Sequence, residues 1–246
     1  MSDRQGTLHI GTSGFQYDHW REVFYPRMLP KRLWFSHYAR HFDSVEINST
    51  FYHLPAESVF RAWCEQAPDG FCYSLKFSRY GSHIKRLREP RQAIDHFVER
   101  ADLLGRHLGP VLLQLPPRWH VNPERLGVFL ETIPAGWRWA VEFRDPSWLC
   151  GEIFALLEKY GAALCLHDLI EEHPRRITTD WVYLRYHGDH YRGSYTSRFL
   201  VAEARRIRAY LGEGRDVYAY FNNDENAWAV RNAMELARYI YKSGDV

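Results

Sequence analysis

The sequence predicts a single (β/α)8 barrel spanning residues 1–246, with its sixth helix short or absent. Three observations carry that expectation. The chain has 246 residues, close to the roughly 250 of one such barrel. Eight β-like runs alternate with segments of helical period, which is the pattern of a parallel sheet. Strand-to-helix connections are long where helix-to-strand connections are terse, and barrels carry their chemistry on the strand-to-helix end.

The elements follow in order. A first strand, Leu8–Gly11, runs into a long loop from Thr12 to Pro30, and a second strand follows at Ser44–Ile47. Val59, Phe60, Trp63, Cys64 and Ala67 then share one helical face. The third strand, Cys72–Phe77, leads through the loop Ser78 to Pro90 into a helix with Ile94, Phe97, Val98 and Ala101 on one side. After the fourth strand, Val111–Leu115, Asn122-Pro123 reads as an N-cap with proline at the first helical position. Leu126, Phe129, Leu130 and Ile133 continue that helix, and Pro134-Ala135-Gly136 turns it into a fifth strand, Arg138–Phe143. Ile153, Leu156, Leu157 and Tyr160 form the next apolar stripe, and the sixth strand is Ala162–Leu166. From Leu166 to Val182 there is Pro174 and little helical pattern, so the sixth helix is expected to be short or missing. A seventh strand, Val182–Tyr186, precedes the loop His187–Arg198 and a helix whose Arg205, Arg206 and Arg208 read as an exposed face. The eighth strand, Asp216–Phe221, is followed by a helix with Val230, Ala233, Met234, Ala237 and Tyr241. The rival architecture is an open doubly wound sheet. No G-x-G-x-x-G follows the first strand, which removes its dinucleotide-binding version.

Composition narrows the classes of function. Apolar residues make up 46% and charged residues 25%, the balance of an ordinary globular protein. A net charge of +2 is too small to argue for binding nucleic acid or membrane with the whole surface. None of the four cysteines forms a C-x-x-C pair or zinc-ligand spacing. Cys72 and Cys165 fall inside strand-like runs and read as buried free thiols, which points to a reducing, cytoplasmic setting. Met1 to Thr7 carries no apolar signal region, and no apolar run approaches the length of a membrane span.

Strand parity then selects candidate site residues. In a barrel one parity packs on the helices and the other faces the axis. With Val45 and Ile47 outward, Glu46 and Asn48 point inward. The same reasoning turns Ser74, Lys76 and Ser78 inward on the third strand and Gln114 on the fourth. It does so for Glu142 and Arg144 on the fifth, Arg185 and His187 on the seventh, and Tyr218, Tyr220 and Asn222 on the eighth. His167-Asp168 ends the sixth strand with parity open. So many inward polar groups near strand ends are costly to bury unless they pair or meet solvent or a ligand. For any one of them the alternative is an internal ion pair that fills the barrel. For the set, a ligand site is the better reading.

The same segments carry a family resemblance. Phe24-Tyr25-Pro26, Val45-Glu46-Ile47-Asn48-Ser49-Thr50-Phe51-Tyr52, Gln114-Leu115-Pro116-Pro117, Val141-Glu142-Phe143-Arg144, Tyr183-Leu184-Arg185-Tyr186-His187-Gly188 and Phe221-Asn222-Asn223 resemble the YecE-like family, number 72 among the catalogued domains of unknown function. The resemblance runs from about residue 8 to the last helix. It implies a barrel, and it marks these motif residues as site candidates without assigning them roles. Asp224 to Trp228 departs from the small or glycine-containing turn more usual in the family.

Several chemistries fit these residues. Glu46 and Glu142, on the second and fifth strands, read as a general acid and base, with Lys76 as the third catalytic candidate. Asn48, Gln114, Arg144, Arg185, His187, Tyr220, Asn222, Asn223 and His83 are the candidates for binding substrate. Lys76 and Arg185 would receive negative charge. The leading expectation is therefore a small-molecule ligand, anionic or sugar-like, undergoing hydrolysis or isomerisation, with no particular cofactor indicated and a divalent metal possible. A divalent metal on Glu46, Glu142, His167, Asp168 and His187 is the variant, although Lys76 and Arg185 would share the cavity with it. A nucleic-acid or nucleotide-binding barrel, including a metal-dependent phosphodiesterase-like activity, is the alternative. Its footprint would be His83, Lys85, Arg86, Arg88 and Arg91 in the third loop together with Trp20, Tyr52, Trp119, Trp148, Tyr191 and Tyr195, aromatics that stack on bases or simply pack the loops. No serine nucleophile elbow, P-loop or Cys–His signature is present.

Overall fold

The structure, a computed structural model, describes residues 4–188 and 193–241. Its strands are β1 (Leu8–Thr12), β2 (Ser44–Ile47), β3 (Cys72–Lys76), β4 (Leu108–Gln114), β5 (Trp139–Glu142), β6 (Ala163–His167), β7 (Trp181–Tyr186) and β8 (Asp216–Phe221). Its helices are α1 (Trp34–Tyr38), α2 (Ser49–Tyr52), α3 (Glu57–Gln66), α4 (Pro90–Ala101), α5 (Pro123–Thr132), α6 (Gly151–Tyr160), α7 (Ser197–Gly212) and α8 (Trp228–Tyr241). The strands form one sheet in the order β1-β8-β7-β6-β5-β4-β3-β2. A parallel bridge from Ser13 to Glu46 joins its two ends. With helices between the strands this is the (β/α)8 topology, and no helix separates β6 from β7. The expected missing helix follows from Pro174 and a segment with no apolar stripe to bury. No helix among the described residues is long and apolar enough to cross a membrane.

The chain divides into two compact units, Met1–Glu46 with Asp180–Val246, and Ile47–Thr179. In the first, β1 pairs with β8 and β8 with β7, all parallel. Sheet order puts β1 and β8 between β2 and β7. Glu46 on β2 nevertheless meets Arg185 on β7, so both side chains reach across the concave face, as their parity requires. Ser44 and Tyr220 also meet there, with their hydroxyls 2.5 Å apart. The close approach of β1 to β2 explains Gly11, because a Cβ at that position would lie 2.0 Å from the Ser44 carbonyl oxygen. On the outer side Tyr186 donates to the buried carboxylate of Glu203 on α7. The arginines of α7 are not all idle surface. Arg206 pairs with Glu203, and Arg208 donates to the Tyr239 carbonyl, tying α7 to α8.

The second unit holds β3, β4, β5 and β6, paired in sequence and parallel. Its outer face is an aromatic layer. Phe77 packs edge-on against Phe97 of α4 and Phe129 of α5, and Trp139 packs edge-on against Phe129 and tilted against Phe97. That contact sets Trp139, and with it Val141 and Phe143, toward the helices, and turns Glu142 to the opposite face. β4 begins at Leu108, ahead of the expected Val111. Gly109 permits this, since a Cβ there would lie 2.3 Å from the Cys72 sulfur. All four cysteines are free thiols, and Cys72 and Cys165 are buried.

Candidate functional site

The last residues of β3, β4, β5 and β6 are Lys76, Gln114, Glu142 and His167. Parallel strands end on one edge, so four polar side chains gather at the C-terminal edge of the second unit. Glu142 is fully buried, while Lys76, Gln114 and His167 keep 7–8% of their surface. Arg144 donates from Nε to Glu142 and from Nη2 to Gln114 Oε1, the latter at 3.3 Å. The Cys165 sulfur lies 3.9 Å from Glu142 Oε2. Lys76 sits over the ring of Phe51, its Nζ 4.4 Å from the centroid. Thr50 anchors that ring's helix by donating to the Lys76 carbonyl at 2.8 Å.

His83 stands beside this group. Its ring meets Phe51 edge-on at 4.9 Å, and Nδ1 lies 3.0 Å from the Ser82 hydroxyl. Burial, and then the positive charges of Lys76, Arg79 and Arg144, push its pKa down to about 4 against a weaker pull from Glu142. The loop that carries it is closed by Lys85 N–H donating to the Tyr80 carbonyl and Leu87 N–H to that of Gly81. Asn48 contributes a buried Oδ1 with no hydrogen-bond partner.

His167 is a strut. Its Nε2 lies 2.7 Å from the Phe143 carbonyl, which can only accept, and its Nδ1 accepts the Leu169 N–H at 3.2 Å. These two bonds fix the neutral Nε2–H tautomer and use both ring nitrogens, so metal ligation by His167 would require breaking one of them. Among the described residues no group of three or more His, Cys, Asp or Glu side chains is arranged to hold a metal ion.

In the first unit Glu46 and Arg185 form a closed pair, both side chains fully buried. Glu46 accepts from Ser13 Oγ at 2.5 Å, Tyr183 OH at 2.7 Å and Arg185 Nη2 at 2.8 Å. Burial alone would raise its pKa, but Arg185 and these hydrogen bonds together hold it below the ordinary carboxylate value. Arg185 Nη1 donates to His187 Nε2 at 3.1 Å, which places the His187 proton on Nδ1. Tyr220 is fully buried against Ser44. Asn222 is half-buried. Asn223 donates to the Gly193 carbonyl and to Asn232 Oδ1, clamping the segment after β7.

Within the first unit Arg185 engages Glu46, and within the second Arg144 engages Glu142. Ser13 escaped the sequence reading, and Tyr183 and Phe51 entered it only within motif segments, without a role of their own. Tyr183 shares the parity of Arg185 and could have been found by it. Ser13 lies one residue beyond β1, and Phe51 sits on a four-residue helix with no periodic signal. Of the loop aromatics, Trp20, Trp119 and Trp148 are buried packing residues, Tyr195 is half-buried and Tyr52 is 75% exposed. Tyr191 lies outside the described residues.

Several clefts open in the second unit, and two of them differ in what they reach. One, of about 1490 Å³, runs along α4 past Tyr80, Pro90, His96 and Val128 and reaches Ser78 but none of Lys76, Gln114, Glu142 and His167. The other, of about 740 Å³, is bounded by the loops after β5 and β6 and reaches Arg144.

Comparison with known proteins agrees with this architecture. A DUF72 family protein from Thermotoga maritima superposes with a TM-score of 0.88 at 24% identity, covering 96% of this chain and all of that one. One from Enterococcus faecalis gives 0.82 at 17% identity, covering 97% of each chain. UPF0759 protein YunF of Bacillus subtilis is 21% identical over 273 aligned positions, 95% of this chain and 94% of its own. UPF0759 protein YecE of Escherichia coli is 36% identical over 113 residues, a match spanning 45% of this chain and only 41% of that relative's length. The family model described as "Protein of unknown function DUF72" matches residues 9–245, and the chain accordingly belongs to the DUF72 family.

Proposed function

We propose that the C-terminal edge of β3 to β6 binds a small anionic metabolite and that Glu142 exchanges a proton with it, in a hydrolysis or isomerisation. The observation that carries this reading is the charge balance around His83. Lys76, Arg79 and Arg144 act on it, with Glu142 opposing. A neutral imidazole among three cations and one carboxylate is an environment that a phosphate or carboxylate would complete. In this reading Glu46 and Arg185 are a support, since their mutual pairing leaves the carboxylate satisfied by three donors.

The test is a thermal-shift comparison of inorganic phosphate, glycerol 3-phosphate and uncharged glycerol. At about a hundred times its Kd a ligand stabilises by ~2.7 kcal/mol, a rise of roughly 5–10 °C for a chain of this size. The two phosphates are expected to raise the melting temperature and glycerol to leave it unchanged. Lys76→Met should abolish the rise, whereas Glu142→Gln should keep much of it and lose turnover of any substrate then found. Equal responses from the wild type and Lys76→Met would rule this edge out. A response that collapses with salt and appears only with oligonucleotides would favour nucleic-acid binding by the basic loop instead.

A further inference from the structure

We infer that the cleft between the loops after β5 and β6 holds the apolar body of an organic anion whose charged group lies at Arg144. This rests on the anionic reading above and narrows it from any small anion to one carrying a hydrophobic, non-sugar portion. Pro146 and Leu149 form one wall of the cleft, and Leu169, Ile170 and Pro174 form the other, with Arg144 as the one cation lining it. Its volume of about 740 Å³ falls within the range of small-molecule sites. Leu149, Leu169 and Ile170 are each half-buried, so they leave apolar surface that a ligand would cover.

The walls are braced before any ligand arrives. His167 ties them together, one ring nitrogen bonded to the Phe143 carbonyl at the end of β5 and the other to the Leu169 N–H on the opposite wall. On the β5 side Asp145 accepts from both the N–H and the hydroxyl of Ser147, and Trp148 stacks on Phe143. A site whose backbone is already fixed loses little freedom on binding. Glu171 and Glu172 also border the cleft and are exposed. They disfavour a second anionic group on the body, so the geometry points to a single charged end.

The experiment compares phenyl phosphate with glycerol 3-phosphate and inorganic phosphate by isothermal titration calorimetry. The wild type is expected to bind phenyl phosphate about tenfold tighter than glycerol 3-phosphate, from apolar area removed from water. Leu149→Trp, which fills the cleft, should erase that preference and keep inorganic phosphate binding. Ile170→Gln, in a loop rather than a helix or strand and without added charge, is the companion variant and should do the same if Leu149→Trp fails to fold. Equal affinities for the two organic phosphates in the wild type, or a preference that survives in the folded variants, would overturn the cleft assignment and leave the anion site standing. No binding of any of the three anions would overturn both.

Discussion

Glu46 accepts hydrogen bonds from Ser13, Tyr183 and Arg185 in a place where neither it nor Arg185 meets solvent. A buried pair of this kind contributes little net stability when intact, but it is expensive to break from one side. Arg185→Met should therefore cost about 3–5 kcal/mol in urea unfolding. The pH dependence follows from the direction of the Glu46 shift. Its folded pKa lies below the ordinary 4.5, so the charged form contributes stability that is fully present above pH 4.5 and is lost as pH falls through the lowered folded value. Wild-type stability should drop more steeply below pH 4.5 than that of Glu46→Gln, and parallel curves would remove this role. Parity marked Glu46 and Arg185 as inward from the sequence. It could not show that their partner is Tyr183, because a tyrosine in a strand reads equally as core.

At the level of elements, local signals and local structure agree where a capping residue is present. Asn122 Oδ1 accepts the Arg125 N–H at 2.9 Å and Pro123 opens α5, as expected of an Asn-Pro helix start. Asn122→Ala should cost about 1 kcal/mol, measured by urea unfolding, and Asn122→Asp should restore most of it. Where the chain uses conformations its residues disfavour, the sequence is silent. Arg86, Leu87 and Glu89 have φ of 47°, 61° and 47° in the loop that carries His83, and each costs roughly 1–2 kcal/mol relative to the right-handed region. Asn226 and Ala227 also adopt positive φ, at 54° and 57°, in the turn after β8. Arg, Leu, Glu and Ala do not announce such positions, and only Asn226 is of a type that visits the left-handed region readily. The start of β4 was missed for a related reason. Gly109 and Pro110 look like strand breakers, yet Gly109 is needed for close approach to Cys72 and the Pro110 carbonyl accepts from Ser74 at 2.7 Å.

For the whole molecule, the alternation of eight strands with helices was enough to give the barrel topology, since each strand is parallel and each connection returns to the same edge. Parity then placed Lys76, Gln114, Glu142 and Arg144 together on one edge without any long-range information. How the charges pair was not legible. Arg144 takes Glu142 and Gln114, and Arg185 takes Glu46, because chain geometry rather than residue type decides which guanidinium reaches which carboxylate. An anion is proposed to bind among Lys76, His83 and Arg144. His83 reports on it directly, because its pKa is depressed to about 4 by burial and then by those cations. The deciding measurement is an NMR titration of the His83 imidazole from pH 7 to pH 3, with and without glycerol 3-phosphate. An anion site beside His83 requires a pKa near 4 in the protein without phosphate and a clear rise when the phosphate binds, because an adjacent anion favours the imidazolium; the same titration curve with and without the phosphate, at concentrations where it binds the protein, would rule that site out.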